Sequence, residues 1–430
     1  MEKKTVKVLV FPAGTEIGLE INRSLFGSTF FKIYGAGSVA DHATMVYRNC
    51  DTDVPFVDDD GCIAKINEII DREKIDFVIP AHDSAVLKFA EHRAEIHCRV
   101  LTSDAETCRI CRSKRETYRV LGNIIRVPAV YDSPAASDFP LFAKPDVGQG
   151  ARGAMLLRTI EDYQKIAQAA RGKLIVSEYL PGKEYTVDCF TDRTGRLLFS
   201  AGRERARISN GISVRSYPAD RPEFMEIAEK INSAVKFRGM WFFQLKEASS
   251  GELTLLEMAP RIAGTMGLYR ALGVNFVQLS LFDAMDMPVK VLRNGNSLVV
   301  DRALFSCFKQ DISYRTVYID FDDTIVLDGM VVPQVMAFLY QAKNCGRKIV
   351  LLTRHAATIR EDLTEKCIPL NLFDRIIRLE SRADDKSSYI DDAESILIDD
   401  SFAERSEVSS RLHIPVFSLD QIDSLMDYRI

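Results

Sequence analysis

Apolar and polar positions change rhythm twice along the chain. Over residues 1–108, short β-rich runs alternate with helical spacing. VKVLVF and FFKIYGAG predict strands, as do DFVIPA and CRVLTS, and between them GCIAKINEIIDREK places its isoleucines at helical intervals. Such alternation predicts an open parallel sheet with helices on both faces. The turn FPAGTEIG after the first strand could admit a nucleotide, but it lacks the third glycine of a dinucleotide fingerprint. Over residues 109–310 the strands take on an antiparallel style and carry charged motifs. The segment NGNSLVVDRALFSCFKQDISYR reads as a closing strand and a connection. A fresh buried strand, TVYIDF, opens a third α/β unit over residues 311–430.

Composition narrows the partners. A chain of 430 residues exceeds one ordinary core. Its net charge of -5 gives no basic footprint for nucleic acid or an anionic membrane. No apolar run approaches the roughly 20 residues that span a bilayer. The lysines before VKVLVF precede a short β-branched stretch and a glycine turn, which is a strand and not a signal peptide. A cytoplasmic protein is expected, with a homodimer as the default assembly. Cys108 and Cys111 in CRIC lack a second pair or nearby histidine pair, so reduced thiols on a helix are expected. His92 and His97 are five apart, not the four that shares a helical face, and are expected at the surface.

The third unit holds the most specific chemistry. YIDFDDTIV puts Asp320 at the end of an apolar strand, with Asp322, Asp323 and Thr324 in the following loop. Carboxylates at i and i+2 there can share magnesium, one attacking phosphorus and the other managing the leaving-group proton. KIVLLTRH ends a second strand in Thr353, Lys386 follows in a polar stretch, and SILIDDSFAER ends a third strand in Asp399 and Asp400. This ordered set resembles the haloacid dehalogenase-like (HAD) phosphohydrolases. The resemblance implies a Rossmann-like domain with Asp320 as nucleophile and Asp322 as general acid/base. It further implies that Thr353 and Lys386 hold phosphate and that Asp320, Asp322, Asp399 and Asp400 surround Mg2+. A second aspartate suits an alcohol leaving group, hence a phosphatase. Short spacings leave no room for a large cap, and capless members of this kind take bulky substrates or use another domain as lid, a part the preceding domain could play.

The middle segment supplies a different set. FPLFAKPDVGQGARG carries Lys144 into a loop with Gly148, Gly150 and Gly153, suited to covering phosphates. KLIVSEYLPGKEYTVDCF then brings Glu178, Leu180 and Glu184, and MWFFQLKEASSGELTLLEMAPR is a hairpin with Gln244 and Glu257 as cross-strand partners. The run resembles an ATP-grasp domain of the carbamoyl-phosphate synthetase and carboxylate–amine ligase type, preceded by a pre-ATP-grasp α/β domain over residues 1–108. It implies that Lys114 and Lys144 contact ATP phosphates, Glu178 and Leu180 frame adenine, and Glu184 holds ribose. Gln244 and Glu257 would bind magnesium, and Arg261 would clamp a substrate or phosphate oxygen. The usual Glu-x-Asn-x-Arg ending is here Glu257-Met258-Ala259-Pro260-Arg261, and alanine removes a second metal ligand. In GRERARISNGISVRS, Arg207 and Arg215 are the expected acyl-phosphate and carboxylate contacts, with Arg203 and Arg205 exposed.

The combined expectation is an α/β protein of three domains: pre-ATP-grasp α/β, α+β ATP-grasp, and Rossmann-like HAD. With ATP and Mg2+, it would join a small-molecule carboxylate to an amine through an acyl phosphate and also hydrolyse a phosphorylated substrate. The alternatives are a small-molecule kinase with a phosphatase, or a nucleotide-sensing module that regulates the phosphatase.

Overall fold

The computed structural model describes residues 5–148, 150, 152–167, 173–356, 358–381 and 384–429. The chain divides into two compact units, residues 1–304 and Phe305–Arg429.

The first unit opens with a five-stranded parallel sheet. Its order is Cys50–Asp51, Phe31–Ala36, Val6–Phe11, Phe77–Pro80 and Arg99–Val100. Val8, Leu9, Val10 and Phe11 are all fully buried, as expected of a central strand covered on both faces. The helix Cys62–Glu73 covers it through Ile66, Ile69 and Ile70. Chain order reverses beside Val6–Phe11, and a crevice opens at the carboxyl ends of such strands. There Thr15 caps the helix Glu16–Leu25, accepting from Gly18 N at 3.0 Å and donating to Ala81 O at 2.8 Å.

A six-stranded sheet forms the body of this unit. Its order is Leu253–Ala259, Gly239–Glu247, Glu184–Thr191, Leu197–Ser209, Ile212–Ala219 and Val300–Asp301, with every pairing antiparallel. Period-two alternation splits its faces. Trp241, Phe243 and Leu245 enter one core with Val187 and Phe224, while Met240 and Phe242 enter another with Val8, Val10 and Ile79 of the parallel sheet. That shared second core makes residues 1–108 and the antiparallel sheet one unit. A three-stranded sheet (Met155–Leu157, Leu141–Pro145, Leu174–Glu178) has its own small cluster around Leu141, Ala143 and Leu157.

The second unit is a parallel sheet ordered Arg375–Arg378, Lys348–Thr353, Thr316–Ile319, Ser395–Ile398 and Val416–Phe417. Val317, Tyr318 and Ile319 are fully buried between helical layers that include Pro333–Asn344 and Phe402–Leu412. Only a two-stranded hairpin, Val326–Leu327 with Met330–Val331, separates the first strand's loop from the helix at Pro333. No helix among the described residues is long and apolar enough to cross a membrane.

Candidate functional site

In the first unit a cleft of about 980 Å³ lies between the three-stranded sheet and the antiparallel sheet. Lys114, Lys144, Gly148 and Gly150 line one side, and Glu178, Leu180 and Glu184 another, with Gln244 and Glu257 at its floor. Gln244 and Glu257 are register partners on adjacent strands, so the fold brings an amide and a carboxylate to one spot. Gly153 does not line this cleft, and Gln149 and Ala151 of the glycine loop fall outside the described residues. Pro128, Phe142 and Leu256 supply apolar walls, which single-residue motifs did not disclose.

The lysines sit ready for anions. Lys144 Nζ donates to the Tyr118 hydroxyl at 2.9 Å, and burial pulls its pKa down to about 8 despite Glu257 nearby. Lys114 Nζ donates to Asp146 O at 3.3 Å and stands 3.9 Å from Glu257 Oε2. Among the described residues, neither has a carboxylate at hydrogen-bond distance.

A second cavity, about 1870 Å³, continues from the cleft and shares Gly150, Arg152, Arg205, Gly211, Gln244 and Glu257 with it. Its far wall comes from the parallel sheet's carboxyl edge, through Thr15, Glu16 and His82. Here the arginine expectations are corrected. Arg203 is fully buried, donating from Nε to Asp188 at 2.7 Å and bonding Thr265. Arg205 is nearly buried, its Nε 2.7 Å from Glu184 Oε1. Arg207 and Arg215, the residues expected to contact substrate, are more than half exposed, pair with Asp301 and line neither cavity. The cause is a register shift between Arg205 and Arg207, a bulge that ends the two-residue alternation carrying Arg203 and Arg205 inward. Arg261 lines the second cavity, but its guanidinium is engaged: Nε and Nη2 donate to Asp83 at 2.6 and 2.7 Å. It braces the parallel sheet against the hairpin, and a free clamp is not what the geometry offers. Ala259 is buried opposite Phe242 in the shared core and presents no ligand.

In the second unit the central strands end together. Asp320 follows Thr316–Ile319, Thr353 closes Lys348–Thr353, and Asp399 follows Ser395–Ile398. Lys386, from the short 3-10 helix Lys386–Tyr389, is buried among them. Its Nζ donates to Asp399 Oδ2 at 2.6 Å and lies 3.3 Å from Asp320 Oδ2. Burial disfavours that ammonium, yet Asp320 and Asp399 hold its pKa above the usual lysine value. Burial also pushes Asp320 up to about 6, against the pull of Lys386.

Ligand atoms of Asp320, Asp399 and Asp400 lie within 4.8 Å of one another, and Asp320 Oδ1 is buried without a hydrogen-bond partner. An orphaned carboxylate oxygen in a cluster of three acids fits a hard divalent cation. Asp322, expected in that ligand set, is not part of the cluster. Its carboxylate meets His355 Nδ1 at 2.8 and 2.9 Å instead. Desolvation lowers the His355 pKa, but hydrogen bonds to Asp362 and Asp322 outweigh it and leave the imidazole above its ordinary value. His355 was not singled out from the sequence, because its partners lie 33 residues before and 7 after it. Asp323 has φ 51, the left-handed conformation that explains why glycine would suit this position.

The remaining expectations concern side chains outside both sites. Cys108 and Cys111 are free thiols on the helix Ala105–Arg112. His97 is about half exposed and pairs with Asp71, while His92 is less exposed and pairs with Glu95.

A sequence-family model described as "ATP-grasp in the biosynthetic pathway with Ter operon" matches residues 170–301. No curated protein matches the chain in sequence. Among solved structures, the biotin carboxylase domain of Hydrogenobacter thermophilus 2-oxoglutarate carboxylase, held with MgADP, ADP and bicarbonate, is 16% identical. It covers 68% of this chain and 73% of its own, with a TM-score of 0.58. The N5-carboxyaminoimidazole synthetase of Staphylococcus aureus with ADP is 14% identical, covers 71% and 84%, and has a TM-score of 0.57. The L-amino acid ligase of Bacillus licheniformis is 15% identical, covers 67% and 76%, and has a TM-score of 0.53. These likenesses and the family match support an ATP-grasp domain in this chain.

Proposed function

We propose that the first unit binds ATP in the Lys114–Lys144–Glu257 cleft and uses it to activate a carboxylate for attack by an amine, releasing ADP and phosphate. The observation that carries this reading is the continuity of two spaces: a lysine-lined cleft opens, at Gln244 and Glu257, into a cavity walled by Arg203 and Arg205. Adenine would lie against Phe142, Leu180 and Leu256, and the polyphosphate against Lys114, Lys144 and the glycine loop. Gln244 and Glu257 would hold the magnesium that accompanies ATP, which neutralises charge on the transferring phosphoryl group. The acceptor would occupy the second cavity, with Arg205 exchanging its internal partner Glu184 for the acyl phosphate. That solved structures of similar fold were determined with ADP supports a nucleotide as the ligand of the cleft.

The experiment is a pairwise screen of amino acids and hydroxy acids for ATP-dependent ADP formation. The expected result is ADP release that requires both a carboxylate and an amine. Release with one hydroxyl or carboxylate compound and no amine would replace the ligase reading with a kinase.

For the second unit we propose a HAD-like phosphatase that attacks phosphomonoesters through Asp320. The buried group of Asp320 and Asp399 at two adjacent strand ends, with Lys386 between them, carries this reading. Lys386 and Thr353 would hold the phosphoryl oxygens, and Asp322 would serve as acid and then base. Asp320, Asp399 and Asp400 would bind magnesium, which supplies charge neutralisation at phosphorus. Trapping of a 32P-labelled aspartyl-phosphate that is lost in Asp320→Asn is expected, and label retained in that variant would overturn the assignment.

A further inference from the structure

The loop after Lys348–Thr353 builds a second charge relay beside the Asp320 centre. His355 Nδ1 meets both oxygens of Asp322, and its Nε2 meets Asp362 Oδ2 at 2.7 Å. Both ring nitrogens face carboxylates, so the ring orientation is fixed from two sides. Asp362 stands in the helix Ile359–Glu365, its own backbone N–H bonded to Thr358 O. Phe321 packs edge-on against the imidazole with centroids 4.8 Å apart, and the His355 backbone N–H donates to Thr353 Oγ1 at 3.1 Å. The imidazole is thus tied to the acid/base loop and to the following helix, while the backbone of the same residue is tied to the Thr353 hydroxyl. Without it, Asp322 has nothing to hold it, since its side chain is about half exposed and His355 is its one hydrogen-bonding side chain among the described residues.

We propose that His355, braced by Asp362, is a positioning residue that holds the Asp322 carboxyl in place for proton transfer to and from the leaving oxygen. The inference rests on the phosphatase reading of this unit and deepens it. In the first step Asp320 forms a bond to phosphorus while the ester P–O bond breaks, and the leaving oxygen takes a proton from the Asp322–His355 pair through Asp322. In the second, water attacks phosphorus, its proton returns to that pair, and the Asp320–phosphorus bond breaks to release phosphate. His355 touches neither substrate nor phosphorus. Its role is to keep one carboxyl in one place through both steps, which matters most when the leaving group is a poor one.

The test compares two substrates of the full-length chain with magnesium present: β-glycerophosphate, whose alkoxide needs a proton, and p-nitrophenyl phosphate, whose phenolate barely does. His355→Ala is expected to lower kcat on β-glycerophosphate by about 100-fold and on p-nitrophenyl phosphate by less than about fivefold. His355→Asn, which keeps an N–H near the Nδ1 position, should recover roughly tenfold of the loss. Asp362→Asn should lose in the same substrate-selective direction and less. Equal losses on both substrates in the Asn variants, or no loss in either, would overturn the proposal and leave His355 as packing. Failure of the underlying reading looks different: Asp320→Asn would then release phosphate as fast as the parent chain, or the parent would hydrolyse neither substrate.

Discussion

The cleft of the first unit and the Asp320 centre of the second are both proposed to handle phosphoryl groups, yet they balance charge in opposite ways. In and around the cleft each buried guanidinium already has an acid: Arg203 with Asp188, Arg205 with Glu184, Arg261 with Asp83. A ligand entering there must trade places with an internal partner, so binding exchanges one ion pair for another. At the Asp320 centre three acids face one buried lysine, and Asp320 Oδ1 meets no hydrogen-bond donor within bonding geometry among the described residues. On the proposed reading, a cation would make up that shortage of positive charge. One site is balanced by internal ion pairs; the other carries an excess of carboxylates.

The largest expected effect separates the two regions outright. Asp320→Asn removes the attacking oxygen, and should cut phosphomonoester hydrolysis by roughly 10^4-fold or more. ATP-dependent ADP formation in the same preparation should stay within about twofold. A parallel loss of both activities would mean that the two regions are not chemically independent.

Glu257→Gln makes the reciprocal cut. It preserves shape while removing the one carboxylate at the cleft floor, and ADP formation is expected to fall by about 10^2–10^3-fold with phosphatase activity unchanged. Titration with magnesium should show that ADP formation needs a higher magnesium concentration in this variant than in the parent.

How readable each region was from the residues follows from the same difference. The Asp320 centre is written at strand ends, where an apolar run stops at a single acid or hydroxyl, and topology alone brings those ends together. Asp320, Thr353 and Asp399 could therefore be found one strand at a time, and Lys386 by its place between two of them. His355 could not, because its meaning depends on Asp322 and Asp362, which the sequence does not place beside it. In the first unit, Gln244 and Glu257 were legible because a hairpin sets their register. The arginines were not. Alternation puts Arg203, Arg205 and Arg207 on one face, and only the bulge after Arg205 sends Arg207 outward. The shared core that joins residues 1–108 to the antiparallel sheet was equally hidden, since a period-two strand shows that two faces are apolar and not what covers them.

The anionic character of the Asp320 centre has a measurable cost. Burial raises Asp320 to about 6, above its model-peptide value of 3.8, so the folded state prefers the protonated acid. The stability this confers is fully present below the unfolded pKa and lost as pH rises through about 6. In EDTA, Asp320→Asn should therefore be more stable than the parent at pH 8 by about 1–3 kcal/mol, the two converging below about pH 4. Magnesium should raise the parent's unfolding midpoint at pH 8 and leave the variant's nearly unchanged. A stability difference that is flat from pH 4 to 8 would contradict the picture of a carboxylate whose burial outweighs its pairing with Lys386.

The smallest effects test the charge-balanced side. Arg205→Met removes a guanidinium from the wall shared by cleft and cavity and leaves Glu184 with Lys246 at 3.7 Å as its nearest cation. ADP formation should fall by about 10–100-fold, with the loss mainly in kcat if Arg205 meets the acyl phosphate only as it forms. Arg207→Ala breaks an exposed pair with Asp301, which Arg215 also contacts at 3.3 Å. Solvent screens that pair, and such pairs contribute about 0–1 kcal/mol, so stability should shift within that range and ADP formation within about twofold. The two arginines are two residues apart in sequence and separated in the fold by a register shift, so the contrast between them reads the bulge directly. Equal losses in both variants would place Arg207 inside the working cavity and overturn the reading that the bulge separates the two arginines.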